Sequence, residues 1–399
     1  NLNDDQMAHA KSGMWWENEG QRALANNSVA YKGKPEMGTF MREWVSLYES
    51  KSGERGIFNR KSAQVQAAKN GRREVEHDFG CNPCSEIILR PYQFCNLSEV
   101  VVRASDTQQT LTDKVRLATI LGTFQSTLTD FKYLRNIWKK NTEEERLLGV
   151  SLTGIMDNDM MAGKSAHLGK NIGATLNALK EQAIKTNASM ARQLDIPQST
   201  AITCVKPSGT VSQLVDSASG IHARHNPYYI RTVRGDNKDP ITQFLVSEGI
   251  PAEPDVMKPD STTVFSFPMK SPNSAICRTE MDAIEQLELW LQYQRHWCEH
   301  KPSVTISVKE NEWMAVGSWV YEHFDEVSGI SFLPFSEHTY KQAPYQDIDE
   351  DTYRELLTQM PKSVNWNMLQ EFEKEDTTSG GRELACTAGV CEVVDLNAA

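Results

Sequence analysis

The sequence predicts an α/β fold built around parallel strands, and three observations carry that expectation. Short aliphatic runs at 149–156, 201–205 and 304–308 are separated by long stretches of helical periodicity. Strands alternating with helices suit a sheet covered on its faces by crossover helices, which parallel strands require. The composition, 39% hydrophobic and 24% charged over 399 residues, is that of a globular chain with room for one large or two ordinary domains.

In chain order, residues 1–78 read mainly as helices joined by polar loops. Met37–Ser50 has helical spacing, with Phe40, Trp44, Val45 and Leu47 as core candidates, and residues 52–60 read as a turn followed by a short extended piece. Residues 81–103 contain two short buried strands, Glu86–Leu89 and Cys95–Val102, separated by a turn at Pro91, and Pro83 disfavours helix at Asn82. Residues 110–140 and 172–194 are amphipathic helices flanking a buried strand at Gly149–Met156. Ala201–Val205 is a further strand that ends at Lys206-Pro207-Ser208-Gly209-Thr210, where a helix can start. A long helix over 281–299, a strand at Val304–Val308 and a helix opening at Asn311 complete the pattern. From about residue 370 the chain turns charged and then small and polar, as a linker does. The expected organisation is a helical segment 1–78, a catalytic body 79–365 and a flexible tail 366–399 carrying Cys386 and Cys391.

The net charge is −11 and the isoelectric point about 5.4, which argues against nucleic acid as the main partner. No run of 18 apolar residues is present, so no membrane span is expected. Asp4, Asp5, Lys11, Glu17 and Glu19 do not make a secretory leader. The chain starts at Asn1 in what reads as the middle of a domain, and the expectation is a fragment or one piece of a split protein, located in the cytoplasm. Eight cysteines in a chain this long are too few for a disulfide framework and point to redox or metal chemistry.

The chemistry concentrates at Asn82-Pro83-Cys84-Ser85-Glu86, with Cys95 eleven positions beyond Cys84. In extended backbone, residues two apart share a face, so Asn82, Cys84 and Glu86 can address one ligand with an amide, a thiol and a carboxylate. Lys206–Ser212 is a strand end, a tight turn and a helix start, where backbone amides and the Ser and Thr hydroxyls can hold phosphate; the same residues also suit an ordinary helix cap. It lacks the ending of a Walker loop. His222, Arg224 and His225 suit either ligand contact or a hydrogen-bonded loop. Cys81 and Cys84 form a Cys-x-x-Cys that could join Cys386 and Cys391 around zinc, the alternative being a zinc-stabilised binding module without catalysis. His296 and His300 are four apart but lack the zincin pattern, so a solvated helix face is expected there.

Asn82-Pro83-Cys84-x-Glu86 followed by Phe94-Cys95-Asn96-Leu97-Ser98-Glu99-Val100 resembles the finger loop of ribonucleotide reductases, especially the adenosylcobalamin-dependent class II enzymes. Ala201–Val211 resembles their substrate-phosphate loop; Gly220–His225 and the Cys386/Cys391 pair also fit, with the monomeric triphosphate-reductase branch fitting best. The resemblance implies half of a ten-stranded α/β barrel with the finger loop through its centre. It implies Cys84 as the thiyl radical, Glu86 as general base and Asn82 as a ribose contact. Cys95 would be one member of the reducing pair, whose other member is absent, and Cys386 and Cys391 would pass electrons from a thioredoxin-like reductant. Pro207, Ser208, Gly209, Thr210 and Val211 would bind the phosphates of a ribonucleoside di- or triphosphate. Adenosylcobalamin is implied as cofactor, with His222 and His225 as candidate contacts, and a second polypeptide as the source of the missing N-terminal half.

Overall fold

The computed structural model describes residues 4–12, 21–22, 27–51, 53, 55–164, 172–335 and 341–373. The chain divides into two compact units, one of Asn1–Arg224 with Ser274–Phe335 and one of His225–Asn273 with Ser336–Ala399. The described strands are β1 (Ser28–Tyr31), β2 (Gly56–Asn59), β3 (Gly80–Cys81), β4 (Ile88–Leu89), β5 (Asn96–Val101), β6 (Leu148–Thr153), β7 (Tyr228–Asp236), β8 (Ala252–Pro254), β9 (Thr262–Lys270), β10 (Val304–Val308), β11 (Ile330–Pro334) and β12 (Tyr345–Asp347).

In the first unit a run of strands is joined edge to edge. β5 pairs in parallel with β6 from Asn96↔Leu148 to Val101↔Thr153. β6 bridges to the 201–205 segment at Val150↔Thr203, and that segment bridges to Pro302, just before β10, at Val205↔Pro302. β10 pairs in parallel with β11. Direction reverses where β11 meets β2 at Ile330↔Ile57, and β2 runs parallel to β1. The strands expected at 149–156 and 304–308 are β6 and β10, and the expected 201–205 strand is an extended segment held between them by isolated parallel bridges. All six residues of β6 are buried, as a strand covered on both faces requires.

Helices cover the sheet. The helix Gln108–Gln125 opens with a reciprocal Thr107/Thr110 capping box, and Ala283–His296 opens with an Asp282/Glu285 box. Trp290 and Trp297 are fully buried. Their indole N–H groups donate to the carbonyls of Pro302 and Cys204 at 2.8 and 2.7 Å, so both rings bury carbon without orphaning nitrogen.

Several local expectations are corrected. Residues 1–78 hold β1 among their helices, because a four-residue strand leaves too little alternation to read, whereas the extended piece expected within 52–60 is β2. The single helix expected over 110–140 is two, Gln108–Gln125 and Asn136–Glu145. Ser126 and Thr127 hydroxyls donate to the carbonyls of Thr123 and Phe124 at 2.7 Å each, which closes the first helix. Phe40, Trp44 and Leu47 are buried as expected, but Val45 is 46% exposed.

The second unit is built differently. Its sheet is antiparallel, in the order β12-β7-β9-β8, with β7 and β9 paired from Tyr228↔Lys270 to Asp236↔Thr262. The sequence reading placed no strand over 228–236 or 262–270. Charged and hydroxyl residues on both faces of β7 blur its alternation.

Candidate active site

β3 and β4 form a short antiparallel hairpin, with Cys81 opposite Ile88. Its tip is a turn in which the Ser85 N–H donates to the Asn82 carbonyl at 2.9 Å, with Pro83 in the second position, where its fixed φ suits the turn. Ser85 takes a left-handed φ of 66°. The Asn82 side-chain oxygen accepts the Ile87 N–H at 3.0 Å, closing the loop from within. The extended-backbone argument for Asn82, Cys84 and Glu86 is therefore corrected: these residues sit on a tight turn, and alternation does not place them. Cys84 is half-buried at the tip, and Glu86 is fully buried.

The hairpin tip is seated on the strands. The Glu86 carbonyl accepts the Lys301 N–H at 3.0 Å. The Ile88 N–H donates to His300 Nδ1 at 3.3 Å, while His300 Nε2 lies 3.0 Å from the Leu148 carbonyl at the start of β6. This pairing makes His300 a neutral imidazole with its proton on Nε2, and burial, reinforced by Arg73, holds it well below the ordinary histidine range. The expectation of a solvated His296/His300 helix face is corrected: the helix ends at His296, and His300 is buried beyond it. Gly329 precedes β11 with φ 75°, and a Cβ there would lie 2.8 Å from the Ser85 Cβ and 2.9 Å from its carbonyl oxygen. Only glycine permits that approach.

On the Glu86 side chain, Oε1 pairs with Lys206 Nζ at 3.3 Å, and Oε2 is buried without a hydrogen-bond partner among the described residues. Burial works against the charge of Lys206, but Glu86 and then Cys84 overcome it and raise the ammonium above its ordinary value. Both finger-loop groups thus act on one cation. Register places Leu97 and Glu99 on the same sheet face as Gly149 and Ser151, with Cys204 and Lys206 alongside. Burial, followed by Glu86, pushes the Cys95 and Cys204 thiols well above their usual range. Lys301 is fully buried, its Nζ donating to Ser328 Oγ at 3.2 Å and lying 4.6 Å from the centre of the Phe58 ring. Burial pulls it down to about 8 against the opposing influence of Cys81 and Glu86.

The 206–212 loop does lead into a helix, Gly209–Leu214. Its hydroxyls are not all turned outward. Ser208 donates to Glu99 Oε2 at 2.6 Å, and Ser212 lies 2.7 Å from Ser219 Oγ, whereas Thr210 is exposed. Burial raises Glu99, opposed by Ser208, Lys206 and Ser151. Pro207, Gly209 and Val211 are partly or fully exposed along the same turn. A Cβ at Gly220, φ 56°, would collide with the Lys206 carbonyl oxygen, so the far side of the loop is closed by backbone.

His222 has the geometry of the hydrogen-bonded-loop alternative. Its Nδ1 lies 2.9 Å from the Ser219 carbonyl and its Nε2 accepts the Thr305 N–H at 3.0 Å, so both ring nitrogens are taken by backbone. Arg224 clamps Asp157 through two bonds of 2.8 and 2.9 Å. His225 belongs to the second unit, where it pairs with Asp347 at 2.7 Å and stacks on Tyr345. Cys81, Cys84, Cys95, Cys204, Cys277 and Cys298 are thiols, and among the described residues no group of three or more His, Cys, Asp or Glu could hold a metal. Cys386 and Cys391, and with them the four-cysteine zinc set, lie outside the described residues. Among the described residues no helix is long and apolar enough to cross a membrane. Sequence reasoning missed Lys206, Glu99, His300 and Lys301 as parts of this site; the first two stand inside the quoted motifs, and the other two carry no local signal.

No family model matches the chain. The fold is that of a B12-dependent (class II) ribonucleotide reductase, whose crystal structure aligns with a TM-score of 0.72 at 23% identity, covering 94% of this chain and 55% of that one. Curated relatives point the same way. The chain is 27% identical to the adenosylcobalamin-dependent ribonucleoside-triphosphate reductase of Euglena gracilis, over 79% of this chain and 42% of that protein. It is 26% identical to the enzyme of that name from Lactobacillus delbrueckii subsp. bulgaricus, over 93% and 53%. The Levilactobacillus brevis enzyme matches at 27%, over 83% and 47%. The resemblance read from the finger loop is thus borne out, and the chain spans about half the length of the curated relatives it matches.

Proposed function

We propose that this chain is the catalytic segment of an adenosylcobalamin-dependent ribonucleoside-triphosphate reductase, supplying DNA precursors in the cytoplasm. The observation that carries the reading is the finger hairpin: Cys84 is at its tip, Glu86 is buried beneath, and one ammonium feels both.

In this reading a Cys84 thiyl takes the 3′-hydrogen of the ribose, forming an S–H bond and leaving a carbon radical. Glu86 accepts the 3′-hydroxyl proton, and the 2′-hydroxyl leaves as water. Two thiols then close to a disulfide, giving up two electrons and two protons, and Cys84 returns its hydrogen to C3′. Cys95 is one of those thiols, and Asn82 contacts a ribose hydroxyl through its amide. Pro207–Val211 cradle the phosphates, with Thr210 the exposed hydroxyl. Cys386 and Cys391 would exchange with the disulfide by thiolate attack and pass on electrons from a thioredoxin-like protein. Adenosylcobalamin supplies, when bound, the carbon-centred radical that oxidises a thiol. The half-buried Cys84 at a hairpin tip fits that demand better than a sealed core thiol would. His222, with both nitrogens engaged, offers no ligand to it.

The barrel belongs to the same reading. Counted with the bridged 201–205 segment, five parallel strands and the antiparallel β2 and β1 would make seven of the ten strands of a reductase barrel. We infer that three more strands, from outside this segment, close it against the outer edge of β5.

The test mixes the chain with its complementary half, adenosylcobalamin and a ribonucleoside triphosphate. Cobalamin cleavage and deoxynucleotide are expected, and Cys84→Ser abolishes deoxynucleotide formation. Undiminished product from that variant ends the reading.

A further inference from the structure

Glu86 has two carboxylate oxygens in different situations. Oε1 is paired with Lys206 Nζ at 3.3 Å, whereas Oε2 is fully enclosed and lacks a donor among the described residues. An unmet acceptor in a protein interior is destabilising. Such an oxygen keeps acceptor capacity that no described group of the chain uses.

Lys206 is not placed by chance. Its N–H donates to Ser151 Oγ at 2.8 Å, and its carbonyl packs against Gly220, where no side chain would fit. The residue is therefore held on both sides of its Cα, and the ammonium projects from a fixed point. That point is also where the 206–212 loop begins. Two residues on, Ser208 is tied to Glu99, which in turn feels the Lys206 charge. The other groups that act on Glu86 or feel it are Glu99, Cys95, Cys204 and Lys301. Lys301, the other cation, directs its Nζ to Ser328 and the Phe58 ring instead.

We propose that Lys206 is a positioning residue for Glu86. By engaging Oε1 it leaves Oε2 as the oxygen that receives the substrate hydroxyl proton, and its backbone ties the place of the base to the place of the phosphate loop. This rests on the reductase reading above and adds to it a residue that selects the working oxygen.

The experiment uses the assembled, cobalamin-loaded enzyme carrying Lys206→Met, Lys206→Gln or Lys206→Arg, with kcat and the nucleotide KM measured for each. Lys206→Met should lower kcat about tenfold or more with KM within about threefold, because an interaction exerted through the base appears in kcat. Lys206→Arg, which keeps a cation, should recover kcat to within about threefold of the parent. If Lys206→Met does not fold, Lys206→Gln, close in length but uncharged, carries the same expectation. A KM that rises about tenfold at unchanged kcat makes Lys206 a phosphate ligand only and overturns the proposal, as does an unchanged kcat and KM. Cys84→Ser in the same assay separates the two levels. An inactive Cys84→Ser beside a Lys206→Met of parental kcat overturns the positioning role alone, whereas an active Cys84→Ser overturns the reductase reading itself.

Discussion

The backbone amide of Lys301 donates to the carbonyl of Glu86 at 3.0 Å, across 215 residues of chain, and this one bond joins the finger hairpin to the start of β10. The carboxylate of the same glutamate is held from the neighbouring strand by Lys206. Glu86 is thus gripped at its backbone and at its side chain by adjacent strands, and this is how a residue on a tight turn becomes a fixed part of the sheet interior.

Replacing Glu86 with Gln keeps the size and removes the base. In the assembled enzyme, kcat should fall by about 10²- to 10⁴-fold, the usual contribution of a positioned general base. Steady-state deoxynucleotide formation checks this, and a fall of less than about threefold would remove Glu86 from the proposed role.

Gly329→Ala places a Cβ against Ser85 in a left-handed backbone. The expected loss is roughly 1–3 kcal/mol of stability, read as a lower urea midpoint at unchanged m-value. A midpoint equal to that of the parent would mean that Ser85 does not rest on Gly329.

His300 is held neutral in the folded chain, with its pKa lowered mainly by burial. The sign follows. Above the unfolded value of about 6.5 neither state is protonated at this group, and full stability is present. As pH falls below that value the unfolded chain takes up a proton that the folded chain refuses, and stability drops by up to about 1.4 kcal/mol per pH unit. Urea unfolding of the parent and His300→Gln between pH 7 and 5 should give a shallower loss for the variant, and parallel curves would contradict the buried neutral imidazole.

Lys301 has its pKa lowered to about 8, so at neutral pH the folded chain carries a buried charge. That cost is complete below pH 8, fades as pH rises towards the unfolded lysine value, and is gone above it. Lys301→Met should therefore match or exceed the parent in stability at pH 7, by an amount on the order of 2 kcal/mol, with the advantage shrinking at high pH. A variant clearly less stable at pH 7 would show that the bond to Ser328 and the contact with Phe58 outweigh desolvation.

Much of this was legible in the residues alone. Asn82-Pro83-Cys84-Ser85-Glu86 declares its chemistry because thiol, amide and carboxylate are near neighbours in sequence, and the turn is written in Pro83. The aliphatic runs at 149–156, 201–205 and 304–308 announce buried strands because a strand covered on both faces needs no polar alternation. The Gly209 helix start follows a strand end in the same short window. The antiparallel β7/β9 sheet escaped because its polar residues hide the period, and the face shared by Cys84 and Glu86 was argued from extended backbone where a turn exists.

What the sequence by itself determined is which groups can react and which segments are strands, since both depend on residue identity and short-range spacing. Only the tertiary structure decided that Lys206 would meet Glu86, that Ser208 would turn inward to Glu99, and that His300 would tie Ile88 to Leu148. These partners are 109 to 212 residues apart for the first-named contacts, and they meet only because sheet register sets which side chains share a face. No local pattern encodes that register; it is fixed when the parallel strands pack.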